Sequence, residues 1–386
     1  CSNSRYDKKM KIAFALYKYF PYGGLQRDML RIAQACLLRG ASVTIYCADW
    51  QGEQPENIAV NKINVHGLSN HSRNRSFSEA LQLCLQAKKF DLVVGFNKMP
   101  GLDIYYAADT CFKAKVMQER LPFLRFLPRY RQYLHDEAAV FGVGSPTKIL
   151  AIAERSVDEY EQYYPGAKKR CTVLPPGINP DRRAGDNAAA IREKFRSEWL
   201  LQDKDKLVLM IGSGFRTKGL DRAIHALAAL PSNLLVCTQL MVIGQDNPDA
   251  FIQLAKKLGV EKNIRYLSGR DDVPHFLQGA DVLIHPAYRE NTGTVLLEAA
   301  VAGLPVLTTA VCGYSRYIRE YDCGLVMDEP FDQQEMNDAL AVMLQDDKQR
   351  AIWRSNALKM GETADIYSLF ERAADFIVTA AKSTQP

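Results

Sequence analysis

Two carboxylates eight positions apart, Glu290 and Glu298, bracket a stretch where an apolar run gives way to a loop and then to a helical pattern. Residues 281–285 have the character of a short strand at the centre of a parallel sheet, and Pro286 ends it because proline cannot donate to a ladder. A helix is expected to begin near Gly293, which puts Asn291, Thr292, Gly293 and Thr294 at its N-terminus. There the unpaired N–H groups and the positive dipole end favour a phosphate. A carboxylate beside a phosphate is repulsive unless it contacts something neutral, and sugar hydroxyls are such partners. The stretch therefore suits a nucleotide sugar. The plainer alternative is that both glutamates only favour a helix N-terminus.

A second loop offers the opposite charge. After the apolar run 207–211 come Gly212, Ser213, Gly214, Arg216, Lys218 and Gly219. The G-x-G suggests a dinucleotide fold, but its third glycine is missing and no acidic residue stands clearly about twenty positions on. Fixed cations at Arg216 and Lys218 would instead stabilise a departing diphosphate. Near the start, Gly23 and Gly24 stand where a strand hands over to a helix, and a backbone without Cβ lets a ligand come close there. Asn97, Lys98 and Asp109 lie at expected strand ends. Asp203 and Asp205 spell D-x-D, but their lysine-flanked place before a strand reads as a solvated turn. No His, Cys, Asp or Glu cluster has zinc-like spacing, and neither a metal nor a cofactor is expected.

These residues need elements to hold them. With 386 residues, two domains are expected. Strands are expected at 11–16, 43–47, 63–66, 92–96, 104–107, 148–153 and 172–174, with helical patterns between several of them, which argues for a parallel sheet wrapped by helices. A second series follows at 207–211, 240–243, 264–267, 282–285, 306–308 and 325–327. The proline-rich run 175–180 reads as the linker. The division is therefore an extension at 1–9, expected to be unstructured, a first domain at 10–177 joined by the terminal helix at 366–386, and a second at 178–365. The fold class is α/β, with two Rossmann-like domains whose strand ends are expected to face a cleft. Nine cysteines, mostly single and inside apolar runs, suit a reducing compartment. No run of 18 apolar residues is present.

The spacing Glu290-x7-Glu298 in a strand, loop and helix resembles the retaining glycosyltransferases of family 4. Residues 16–21, 95–103 and 311–314 are more specific, and resemble the branch that adds glucose to an inner-core heptose of lipopolysaccharide in Gram-negative bacteria; the likeness runs from about Met10 to the end. It implies a GT-B fold, UDP-glucose as donor, a lipid-linked heptose as acceptor, retained configuration and no metal. The first domain would bind the acceptor, with Asn97 and Lys98 facing it, and the second would bind the nucleotide sugar. Residue by residue, Lys218 matches the phosphate-binding lysine, while Ser213 replaces the arginine usual five positions before it, which leaves Arg216 as a substitute. Glu290 is implied to contact glucose hydroxyls, Glu298 the ribose, and Asp109 the glucose 6-hydroxyl, where many members have histidine.

Between Phe112 and His135, Lys113, Lys115, Arg120, Arg125, Arg129 and Arg131 are interleaved with aromatic and leucine residues. That composition suits an element lying on an anionic membrane, and the implied acceptor favours it over a solvated basic helix. A peripheral position on the cytoplasmic face of the inner membrane follows. No nucleic-acid module is recognised. Three rivals stay open: a family 4 enzyme using another sugar, a nicotinamide dehydrogenase read from Gly212 and Gly214, and a non-enzymatic membrane-binding scaffold.

Overall fold

The computed structural model describes residues 9–21, 23–118 and 126–384. The chain divides into two units, residues 1–177 with 368–386, and residues 178–367. In the first, seven parallel strands are β1 (Lys11–Tyr19), β2 (Ser42–Trp50), β3 (Ala59–Lys62), β4 (Leu92–Gly95), β5 (Ile104–Ala107), β6 (Lys148–Ala151) and β7 (Cys171–Val173), in the order β3-β2-β1-β4-β5-β6-β7. In the second, β8 (Lys206–Ile211), β9 (Thr238–Ile243), β10 (Ile264–Leu267), β11 (Val282–His285), β12 (Val306–Thr309) and β13 (Gly324–Met327) run parallel in the order β10-β9-β8-β11-β12-β13. Each unit is thus an open α/β layer structure of Rossmann type.

The central strands are apolar because helices cover both faces. Ile12, Phe14 and Leu16 of β1 join one cluster, while Ala13 and Ala15 join another on the opposite face. The helix Gly24–Leu38 buries Met29, Ile32, Ala33 and Cys36 at spacings of three and four. Against it packs the last helix, Leu369–Ser383, through buried Ala373, Ala374, Ile377 and Val378. Arg39 pairs with Asp375 at 2.6 Å, and the Arg31 guanidinium lies 4.3 Å from the Phe370 ring centroid. The last helix starts at Leu369, three residues after the expected return.

One strand lies elsewhere than the sequence suggests. β3 occupies Ala59–Lys62, with Thr44 opposite Ala59, and not residues 63–66. It is an edge strand of mixed polarity, so its own pattern is weak, whereas buried Ile63 just beyond it imitates a strand residue.

In both sheets the strand order reverses once, between β1 and β4 and between β8 and β11. At such a reversal the loops after the two neighbouring strands diverge to opposite faces and leave a crevice at the carboxyl ends, where open α/β sheets bind ligands. The loops singled out from sequence follow these strands, except that of Asp109, which follows β5.

Candidate functional site

In the second unit the loop after β8 and the loop after β11 are stitched together. The Tyr288 N–H donates to the Thr217 carbonyl at 2.9 Å, and the Arg222 guanidinium donates to the carbonyls of Pro286 and Ala287 at 3.2 and 3.1 Å. That guanidinium also lies 3.6 Å from the ring centroids of both Tyr288 and Phe331. Gly219 makes the approach possible. It takes a left-handed φ of 78°, and a Cβ there would sit 2.1 Å from the Pro286 carbonyl oxygen.

This stitching brings Lys218 against Glu290, and the two form an ion pair. The Lys218 side chain is 23% exposed and that of Glu290 14%. Burial lowers the ammonium pKa, while Cys312 acts the other way. Contact with Glu290 favours the charged form, and that is the form the geometry supports. The same carboxylate oxygen lies 3.4 Å from His285 Nε2. Burial first, and the Lys218 charge second, push the His285 pKa from 6.5 down to about 3, so the imidazole is neutral. A neutral ring here donates from Nε2 to Glu290, which leaves Nδ1 as an acceptor, and Nδ1 has no hydrogen-bond partner among the described residues. The other Glu290 oxygen accepts from the Asn291 N–H at 3.2 Å.

The helix Thr294–Val301 follows, capped by Gly293 with a φ of 76°. Its approach loop is fixed from below: the Asn291 carbonyl accepts from the Gly313 N–H at 3.1 Å, and that of Thr292 from the Tyr314 N–H at 2.7 Å. The Thr292 and Thr294 hydroxyls lie 3.5 Å apart. Glu298, on the second turn, lies 3.6 Å from Arg182 Nε. Arg216 is exposed beside this group, two residues before Lys218. Ser213 does not face the site as a cation would; its hydroxyl accepts from the Gln245 N–H at 3.0 Å. Chemically, the arrangement is one buried ammonium, two carboxylates and a helix N-terminus at a single strand reversal. It can hold a phosphate and hydroxyls together.

In the first unit, the N–H of Tyr17, near the end of β1, donates to Asn97 Oδ1 at 2.8 Å across the reversal to β4. Asn97, Lys98 and Asp109 line a cavity of about 360 Å³ with Tyr17, Tyr133 and Asp136. Asp109 is open to water yet crowded by protein. That crowding raises its carboxyl pKa, Lys98 lowers it and Glu137 raises it; solvent screening keeps the effect modest. Gly23 precedes the helix Gly24–Leu38 in ordinary extended conformation, and no atom lies within 4 Å of where a Gly24 Cβ would be.

Lys98 has a partner the sequence did not suggest. Its ammonium donates to Glu137, wholly buried, at 2.6 Å and to the Thr110 carbonyl at 2.8 Å. Glu137 also accepts from the Phe112 and Lys113 N–H groups, at 2.7 and 2.8 Å, and from the Tyr164 hydroxyl at 2.9 Å. Lys98 therefore anchors the helix Phe112–Gln118 through Glu137, and reaches the cavity from that anchored position.

The expected membrane residues separate. Lys115, Arg129 and Arg131 are exposed. Lys113 is half-buried, donates to the Tyr163 carbonyl at 3.0 Å and lies 4.6 Å from the Tyr164 ring centroid. Arg120 and Arg125 lie outside the described residues, as do residues 1–8. Met117, Phe126 and Leu127 expose apolar surface beside these charges. Among the described residues no helix is long and apolar enough to cross a membrane, and no group of three His, Cys, Asp or Glu is placed to hold a metal ion. Asp203 and Asp205 form a turn: the Asp205 N–H donates to the Gln202 carbonyl and its carboxylate accepts from the Gln202 N–H, at 3.0 and 2.8 Å.

Sequence reasoning passed over His285, Arg182 and Glu137. His285 had one signal, a polar residue closing a buried strand. Arg182 follows the linker and Glu137 lies within a helical pattern, and neither is marked by spacing.

Comparison with known proteins agrees with this geometry. Residues 191–360 match the family Glycosyl transferases group 1, and residues 22–182 match Glycosyltransferase Family 4. The chain is 45% identical over 368 residues to lipopolysaccharide glucosyltransferase WaaG of Escherichia coli K12, covering 95% of this chain and 98% of that one. It is also 29% identical over 211 residues to a D-inositol 3-phosphate glycosyltransferase of Corynebacterium urealyticum, covering 52% of this chain and 49% of that one. Among solved structures, WaaG superposes with a TM-score of 0.87, at 45% identity and over 95% of this chain and 99% of that one. Anabaena HepE in complex with UDP and glucose reaches 0.71 at 17% identity, over 96% and 100%, which speaks for the fold alone. The fold is therefore that of the GT-B glycosyltransferases, and the chain belongs to the glycosyltransferase family that includes the lipopolysaccharide glucosyltransferase WaaG.

Proposed function

We propose that the chain is a retaining glucosyltransferase that moves glucose from UDP-glucose to an inner-core heptose of lipopolysaccharide, without a metal ion, while held peripherally on the cytoplasmic face of the inner membrane. The observation that carries this reading is the Lys218–Glu290 pair at the β8/β11 reversal, in a chain so similar to WaaG along nearly its whole length. Departure of UDP builds negative charge on the diphosphate. Lys218, exposed Arg216 and the N-terminus of the helix Thr294–Val301 are the fixed positive groups that would stabilise it. Glu290, oriented by Lys218 and His285, is assigned to the glucose hydroxyls, and Glu298 to the ribose. Asp109 is assigned to the glucose 6-hydroxyl, and Asn97 with anchored Lys98 to the acceptor side of their cavity. Open backbone at Gly24, beside Gly23, leaves room for the donor. Front-face transfer, with the departing UDP helping to deprotonate the acceptor hydroxyl, needs no protein nucleophile.

Membership in a glycosyltransferase family displaces the dehydrogenase reading of Gly212 and Gly214. Calorimetry with UDP-glucose, UDP-galactose, GDP-mannose and NAD tests the donor. Tightest binding is expected for UDP-glucose; preference for GDP-mannose or for NAD overturns the assignment.

A further inference from the structure

Beside the cavity lined by Asn97 and Asp109 lies a second one in the same unit. It has a volume of about 550 Å³ and shares Asp136 with the first, of about 360 Å³. Both volumes fall in the range of ~300–1,000 Å³ usual for small-ligand sites. Polar side chains in the lining of the second are ordered as a relay. Arg75 Nε donates to Gln132 Oε1 at 2.7 Å, and Gln132 Nε2 donates to Asp136 Oδ1 at 2.9 Å. His135 Nδ1 lies 3.4 Å from the same Asp136 oxygen. Asp136 is buried, 3% exposed, and Gln132 6%, so this floor is fixed; Arg75 and Arg131 are exposed at the rim.

We infer that this cavity is a second saccharide subsite, which takes a sugar bearing an anionic substituent, a carboxylate or a phosphate, next to the sugar that receives glucose. Three observations carry it. First, the two cavities share one buried carboxylate, Asp136, in their linings, so ligands in the two would sit on either side of the same side chain. Second, the floor offers what a sugar ring needs: Asp136 as an acceptor, and Gln132 as a donor and acceptor in a fixed orientation. Third, two guanidinium groups stand at the rim, and among the described residues neither forms an ion pair, although Glu79 also lines the cavity. Guanidinium forks bind carboxylate and phosphate oxygens in pairs. The position of the subsite along the acceptor rests on the proposed acceptor reading of the first cavity; its ligand chemistry does not.

Two measurements on the full chain separate these parts. In an NMR titration with methyl glucoside, methyl glucuronide and methyl glucoside 6-phosphate, the wild type is expected to prefer at least one charged ligand over the neutral one by roughly tenfold, the scale of a hydrogen bond to a charged group. The charged ligand preferred identifies the substituent. The double variant Arg75→Gln, Arg131→Gln is expected to bind all three alike. Equal binding of the three ligands by the wild type, or a charge preference that survives in the double variant, overturns the subsite. In a transfer assay, the same variant is expected to raise KM for a heptoside linked to a charged sugar by roughly tenfold, with kcat and the KM of a neutral heptoside unchanged. If the charge preference holds but no heptoside accepts glucose, the subsite stands and the acceptor reading falls. If heptosides are glucosylated but the KM of both acceptors rises together, Arg75 and Arg131 act on general architecture and the subsite is overturned.

Discussion

Lys218 and Glu290 are seventy-two positions apart in the chain and form an ion pair, because β8 and β11 are neighbours at the point where the sheet reverses. Each side chain is more than three-quarters buried, so each has lost most of its water and depends on the other or on a ligand.

Removing the ammonium should therefore have two effects. Lys218→Ala is expected to lower turnover by ~100-fold or more, the scale of losing one fixed charge-stabilising group. Because the pair is coupled, Glu290→Ala and the double variant should not add. A double-mutant cycle on kcat/KM measures this, and simple additivity would show that the two groups act separately.

Glu298 and Asp109 should fail differently. Glu298→Ala is expected to weaken UDP affinity, whereas Asp109→Ala should leave UDP affinity in place and slow glucose transfer. Calorimetry with UDP beside a transfer assay distinguishes them. Normal binding and normal rate in both variants would remove the assigned roles.

His285 makes stability depend on pH. Its folded pKa, about 3, lies below its ordinary value of 6.5, so below pH 6.5 the unfolded chain takes up a proton that the folded chain refuses. The contribution is intact above pH 6.5 and declines as pH falls toward 3, by up to ~1.4 kcal/mol per pH unit. His285→Asn should flatten the fall in unfolding free energy between pH 7 and pH 5, measured with urea. An unchanged slope would place the acid sensitivity elsewhere.

Two glycines should respond in opposite ways. Gly219→Ala forces a Cβ against the Pro286 carbonyl in a left-handed conformation, and should cost ~2 kcal/mol or more while loosening the contact between the two site loops. Gly24→Ala meets open space at the start of a helix and should leave stability level or raise it by ~0.5–1 kcal/mol. If the donor approaches that backbone, UDP-glucose affinity nevertheless falls. Urea denaturation and calorimetry together decide both.

Membrane attachment is expected to reside in the exposed Lys115 and Arg129 together with the basic residues Arg120 and Arg125, and not in Lys113, which is held by the Tyr163 carbonyl. Replacing Lys115, Arg120, Arg125 and Arg129 by glutamine should remove roughly 1 kcal/mol of attraction per charge and abolish co-sedimentation with phosphatidylglycerol vesicles at low salt. UDP affinity should be unchanged. A variant that sediments like the wild type would show that the segment is not the attachment element.

Sequence by itself determined the local grammar of this protein. Alternating apolar runs and helical periodicity require parallel sheets covered on both faces, since only helices can bury both sides of such strands. The break at Pro286, the glycine at 293 and the glutamates at 290 and 298 set out half the site, because strand end, loop and helix cap are encoded within thirteen neighbouring residues. What joins distant segments was left to the tertiary structure. The pairing of β8 with β11, not with β10, sets Lys218 on Glu290 and lays His285 beneath them. Arg182, just past the linker, reaches Glu298 only once the helix Thr294–Val301 is docked. Lys98 looked like a group free for an acceptor, yet Glu137, thirty-nine positions away, turns its charge inward. The edge strand β3 was displaced for the same reason. Its register comes from hydrogen bonds to β2, and a short half-polar segment carries too little pattern of its own to announce them.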